Sequence, residues 1–188
     1  MRKGHLFILS GPSGVGKNVV TKHLRKLRPD LVKIVSYTTR KPRPKEKNKV
    51  NYNFVTEKKF KEMIKKRAFI EWAHVHDHMY GTPKKDVQDA LDQGHNVLLE
   101  IDVQGAEQIK QRMPKAISFF LEPESFDFLK EHIIKRAKMD EKRLRLRLKN
   151  AKKELALRDD YDYQVVNREC KADKAAEEIA GIIERIGG

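Results

Sequence analysis

Three glycines and a lysine set the chemistry near the start of the chain. In Gly11-Pro12-Ser13-Gly14-Val15-Gly16-Lys17 the spacing is that of a phosphate-binding P-loop. In such a loop, backbone N–H groups wrap a polyphosphate and the lysine reaches its outer phosphates. Glycine is needed because the backbone approaches the anion closely and parts of the loop take positive φ. A helix that follows adds free N–H donors and the positive end of its dipole. The flanks fit: residues 6–9 read as a buried strand, and Val19, Val20, His23, Leu24 and Leu27 share one helical face. Asn18 and Val19 stand after the lysine, where a hydroxyl residue would help hold Mg2+, and Asn18 offers only an amide oxygen. A tight glycine turn with a solvated lysine is the plainer reading of the same residues.

The stretch Ser36-Tyr37-Thr38-Thr39-Arg40-Lys41-Pro42-Arg43-Pro44 carries further anion chemistry. Its prolines forbid a regular helix and hold the segment extended. Arg40 and Arg43 can therefore both turn to one anion, and guanidinium forks suit phosphate oxygens better than lysine does. Read alone, loop arginines are more often solvated. Glu71 falls in the middle of a predicted strand, 68–75, and Thr82 is placed to cap a helix opened by Pro83. Residues 96–102 form an apolar strand ending in acids, with Glu100 and Asp102 on one side and Ile101 on the other. Ligands of open parallel sheets bind at such carboxyl ends. An N-cap or surface pair is the alternative for these acids.

The elements that must position these groups alternate between strand and helix. Strands are predicted at 32–36, 50–55, 116–121 and 163–166. Helices are predicted from the Thr56 N-cap to about 66, before Gly94, at 104–112, 126–136, 140–157 and 172–186. Phe60, Met63 and Ile64 make one apolar stripe, and Leu144, Leu148, Ala151 and Leu155 another. A chain of 188 residues suits one domain or one core with insertions, and no apolar run is long enough for a membrane span or a signal peptide. The lone Cys170 excludes an internal disulfide, fits a reducing cytoplasm, and reads as a small packing residue. Net charge is +14, concentrated unevenly. Residues 41–67 and 128–153 each hold eleven Lys/Arg against three acids. That pattern suits a nucleic-acid groove or a cleft closing on two nucleotides.

Together these motifs resemble the guanylate kinase family, P-loop enzymes that phosphorylate GMP with ATP. The resemblance covers essentially the whole chain. Besides the P-loop and the Ser36–Arg43 run, it rests on Tyr52-Asn53-Phe54-Val55, Phe69-Ile70-Glu71-Trp72-Ala73, Tyr80-Gly81-Thr82 and Glu100-Ile101-Asp102-Val103-Gln104-Gly105. It implies an α/β P-loop NTPase fold with a central, mostly parallel five-stranded sheet flanked by helices. Residues 1–36, 84–127 and 151–188 would form the core, 37–83 a small α+β GMP-binding insertion, and 128–150 a helical lid.

By that resemblance Ser36, Arg40, Arg43, Tyr52 and Tyr80 hold the GMP phosphate. Glu71 and Thr82 read guanine, and Glu100 and Asp102 lie near the nucleosides and metal. Gly11, Pro12, Ser13, Gly14, Val15, Gly16, Lys17, Asn18 and Arg136 bind ATP, and Lys17, Arg40, Arg136 and Arg147 carry catalysis. Mg2+ comes with ATP, held through Asn18 or, across a water, Glu100. The sequence departs from the family where His132 replaces an arginine and Ala137-Lys138 a Gly-Thr turn. The expected partners are ATP and GMP rather than membrane or nucleic acid, with the chain a cytoplasmic monomer or weak homodimer. A catalytically weakened module of the same fold and a basic nucleic-acid-binding protein are the alternatives.

Overall fold

The computed structural model describes residues 3–75, 77–136 and 140–187, and of Arg136 the backbone only. It is an α/β protein with two sheets. The larger has five strands: β1 (Leu6–Ser10), β2 (Val32–Lys33), β7 (Val97–Glu100), β8 (Ile117–Pro123) and β9 (Tyr163–Asn167). They run in the order β2-β7-β1-β8-β9, and β2–β7, β1–β8 and β8–β9 pair in parallel. All five residues of β1 are buried, as its continuous apolar run requires. Parallel pairing needs long crossovers, and these contain α1 (Lys17–Leu27), α4 (Val103–Arg112), α5 (Phe126–Arg136) and α6 (Glu141–Leu155). A last helix, α7 (Ala172–Gly187), packs extensively on α1, burying Ile179 and Ile183.

The second sheet has the order β4-β3-β6-β5, built from β3 (Tyr37–Thr38), β4 (Asn53–Phe54), β5 (Phe69–Val75) and β6 (His78–Pro83). Helix α2 (Glu57–Lys65) starts at Thr56, whose hydroxyl accepts the Lys59 N–H at 3.2 Å, the expected N-cap. It delivers Phe60 into a small core with Phe69 and Met79, the two rings stacked at 4.6 Å. Helix α3 (Lys84–Asp92) follows β6 directly.

By internal contacts the chain forms two compact units. One comprises Met1–Leu6, Val32–Leu99 and Gln104–Ala116; the other comprises Phe7–Leu31, Glu100–Val103 and Ile117–Gly188. In the first, β5 is an edge strand, and an unpaired edge is a hazard. Helix α4 covers it: Gln108 both donates to the Trp72 carbonyl and accepts its N–H, and Arg112 donates to the Ile70 carbonyl.

Several expectations change. The strands at 32–36 and 50–55 shrink to two residues each: residues 35 and 36 give their carbonyls to Asn53 instead of extending β2, and the Lys47–Asn51 turn takes up the start of the second. Thr82 does not cap α3. It lies inside β6, antiparallel to β5, and Pro83 occupies the cap position with no side-chain bond. Val19 and Leu27 are about half exposed, so the buried face of α1 is Val20, Thr21 and Leu24. Cys170 is exposed at φ 55° rather than packed inside.

Phe60 is fully buried at the centre of the smaller core. Phe60→Ala should therefore lower stability by about 3–5 kcal/mol in denaturant unfolding.

Candidate active site

In the second unit, β1 runs into the glycine loop and the loop into α1. Gly11 sits at φ 137°, and a Cβ there would come within 2.4 Å of the Leu121 carbonyl oxygen. Gly16 caps α1 in the left-handed region at φ 97°, and a Cβ there would lie 2.6 Å from Asn167 Nδ2. Neither position accepts a side chain without moving β8 or β9 residues. Asn167, buried at the end of β9, donates from Nδ2 to the Val15 carbonyl at 2.7 Å, so the last strand holds the apex of the loop. The first turn of α1 carries no acid, which leaves its positive end open to an anion. Lys17 donates its ammonium to the Gly11 and Pro12 carbonyls. Asn18 is exposed on that turn.

Helix α6 reaches the same loop. The Glu154 carboxylate accepts the Ser13 N–H at 3.1 Å. Burial pushes the Glu154 carboxyl above its ordinary range and nearby Asp102 adds to this, while the Ser13 N–H and Lys17 work against it. Arg147 is half-buried two turns earlier on α6, on the same helical face. Glu100 and Asp102 are half-buried in this unit on either side of buried Ile101. Arg136 ends α5, and its side chain, like Ala137 and Lys138, lies outside the described residues. His132 turns back on its own helix, its Nδ1–H donating to the Phe128 carbonyl at 2.8 Å.

In the first unit, strand register brings three of the singled-out residues into one chain of hydrogen bonds. Glu71 on β5 stands opposite Thr82 on β6. The Thr82 hydroxyl donates to Glu71 Oε1 at 2.5 Å, and Ser36 Oγ lies 3.3 Å from Thr82 Oγ1. Glu71 is 4% exposed and Thr82 is fully buried. Asn53 fixes the Ser36 backbone, donating from Nδ2 to the Val35 carbonyl and from its N–H to the Ser36 carbonyl.

A second group gathers around Arg40. Its guanidinium lies 5.6 Å from the Tyr52 ring centroid, and the Tyr52 and Tyr80 rings meet edge-on at 5.9 Å. Burial works against the Arg40 charge, but Glu46 and Tyr80 more than offset it and hold its pKa above the ordinary value. Glu46 accepts from Arg40 Nη2 at 2.9 Å and from the Arg43 N–H at 2.7 Å. Arg43 itself is exposed and joins this group through its backbone.

The guanylate kinase family model matches residues 3–186. The chain belongs to the guanylate kinase family. It is 43% identical to the guanylate kinase of Clostridioides difficile (strain 630) over 183 residues, which is 97% of this chain and 88% of that protein. It is 39% identical to the guanylate kinase of Thermotoga maritima over 181 residues, covering 96% and 86%. A crystal structure of guanylate kinase from Anaplasma phagocytophilum superposes with a TM-score of 0.79 at 32% identity, over 100% of this chain and 88% of that one.

Four residues of the chain escaped the sequence reading: Glu46, Asn53, Glu154 and Asn167. Asn167 ends a parallel strand, a position that marks ligand-side ends. Glu46, Asn53 and Glu154 act on partners six or more residues away, and no spacing rule marks them.

A carboxyl whose pKa is raised in the folded state is disfavoured when charged. Its contribution to stability therefore improves as pH falls through the folded pKa toward the unfolded value. Without added nucleotide, Glu154→Gln should raise the melting temperature at about pH 8, and the gain should shrink toward about pH 4. A gain independent of pH would contradict the assignment.

Proposed function

We infer that the chain is an ATP:GMP phosphotransferase, reversibly moving the γ-phosphoryl group of ATP to GMP or dGMP to give ADP and GDP. The observation that carries this reading is the buried chain Ser36–Thr82–Glu71 in a member of the guanylate kinase family. Guanine presents two adjacent donors on its N1/N2 edge, and a carboxylate is a two-oxygen acceptor. With Thr82 holding Oε1, Glu71 is fixed in orientation for that edge. Adenine lacks the pair and would leave a buried charge poorly matched.

Around this base reader, Arg40, Arg43, Tyr52, Tyr80 and Ser36 hold the GMP phosphate, with Glu46 orienting the Arg40 fork. The P-loop from Gly11 to Asn18 takes the ATP phosphates, Lys17 exchanging its loop carbonyls for phosphate oxygens. Arg136 and Arg147 approach from the lid at 128–150. Glu100 and Asp102 lie near the nucleosides and the metal. Phosphoryl transfer asks little covalent chemistry of the protein: in-line positioning and neutralisation of charge on the equatorial oxygens suffice. No general base is required, because the GMP phosphate is already ionised. Closing of the 37–83 segment on GMP and of the lid on ATP would exclude water and limit wasteful hydrolysis.

Mg2+ suits the donor set. Among the described residues no group of three His, Cys, Asp or Glu could hold a metal alone, and Mg2+ normally binds through substrate phosphates, waters and one or two protein oxygens. Asn18, or Glu100 across a water, would hold it, and it would offset phosphate charge. A cytoplasmic setting follows for an enzyme of free nucleotides, and among the described residues no helix is long and apolar enough to cross a membrane.

A coupled ADP-release assay tests this reading. GMP and dGMP should turn over and AMP should not, with discrimination of roughly 10⁴ in kcat/KM. Glu71→Gln should raise the GMP KM about 10- to 100-fold, the loss of a charge-assisted hydrogen bond, with the ATP KM nearly unchanged. Equal effects on both substrates would remove Glu71 from base reading, and no turnover at any Mg2+ level would leave a binding module. Asn18→Ser restores a hydroxyl after the P-loop lysine, so it should lower the Mg2+ concentration needed for half-maximal rate.

A further inference from the structure

A groove of about 480 Å³ lies within the first unit, away from the Ser36–Thr82–Glu71 chain. Its floor is apolar, from Ile64 and Met113, and its walls carry Arg67, Lys84, Arg112 and Trp72. Trp72 is the only tryptophan of the chain and remains 37% exposed in a strand whose preceding three residues are all buried. Among the described residues no carboxylate lines the groove. Arg112 is anchored by the Ile70 carbonyl and keeps further N–H groups to offer. Among the described residues, the side chains of Arg67 and Lys84 have no hydrogen-bond or ion-pair partner.

These features complement one kind of ligand. Three like charges around one cavity repel each other unless an anion enters. Guanidinium groups match phosphate oxygens, and an exposed indole face is a stacking platform for a flat ring. The cavity falls within the size range of small-ligand sites. We propose that this groove is a second small-molecule site, taking a mononucleotide-class ligand with its ring on Trp72 and its phosphate between Arg67, Lys84 and Arg112. Glu71 and Trp72 are consecutive on β5 and face opposite sides of the sheet. The groove thus shares a strand with the base reader. Any effect of its occupant on GMP kinetics rests on Glu71 being that reader, whereas binding at Trp72 does not.

The single indole makes the test direct. UMP, which lacks the donor pair that Glu71 would read, is titrated into the full chain while tryptophan fluorescence is followed, with no other nucleotide present. A saturable change is expected. Uridine alone or inorganic phosphate alone should need at least about tenfold higher concentration, since each supplies half of the contacts. Arg67→Ala/Lys84→Ala should weaken UMP about tenfold or more, while GMP turnover by the same variant, unchanged, shows that it is folded. No saturable change with UMP would overturn the proposal. So would a change of equal affinity in the double variant, or equal affinity for phosphate alone.

Discussion

A loop pressed against neighbouring strands and a helix cannot carry Cβ atoms where it turns with positive φ, and that constraint governs the glycine loop between β1 and α1. Gly11 abuts the Leu121 carbonyl and Gly16 abuts Asn167, so the loop is moulded against β8 and β9 rather than hanging from the end of β1. Gly14 packs the same way against Leu129 and Ile133 of α5. The buried parallel strands matter because they bring these elements to one end of the sheet. The helix that follows begins with no acidic residue, so no carboxylate of its own first turn takes up its free N–H groups.

The first unit obeys a different rule. A carboxylate as buried as Glu71 is expensive to keep charged unless its oxygens are held by donors. Antiparallel register places Thr82 directly across from it, and the Thr82 hydroxyl, committed to Glu71, is in turn approached by Ser36. Hydroxyls can rotate, but each one's direction here is set by the next. The small aromatic core of Phe60, Phe69 and Met79 fixes that register from below. A Cβ on Gly81 would meet both phenyl rings at 3.0–3.1 Å, so β6 is seated against them without slack.

Much of this was legible in the sequence for local reasons. The glycine spacing, the Thr56 cap, the apolar run of β1 and the stripe of α6 depend on neighbours within a few residues. The resemblance to guanylate kinases then extended the reading across the chain. What stayed hidden depends on partners far along the chain. Thr82 reads as a helix cap because Thr-Pro commonly opens a helix, and only pairing with β5 shows that its hydroxyl is already used. Glu154 looks like any solvated acid on a lysine-rich helix until α6 is laid against Ser13, 141 positions away. Cys170 fails for the opposite reason: small apolar residues are usually buried, but a left-handed turn before α7 leaves it outside.

Charge is the thread that joins the two halves. With 41 Lys and Arg against 27 Asp and Glu, the chain carries more cations than acids to hold them. Lys17 rests on two loop carbonyls, and Arg40 rests on Glu46 and the Lys41 carbonyl. On the function proposed above, a phosphate arriving at either cation would exchange one acceptor for another, so the net gain would be the difference between the two contacts rather than the full strength of the new one. That difference is what a phosphotransferase needs. Substrate and product polyanions must leave as readily as they arrive, and cations held in place by modest internal acceptors keep their geometry between turnovers without binding either nucleotide too tightly.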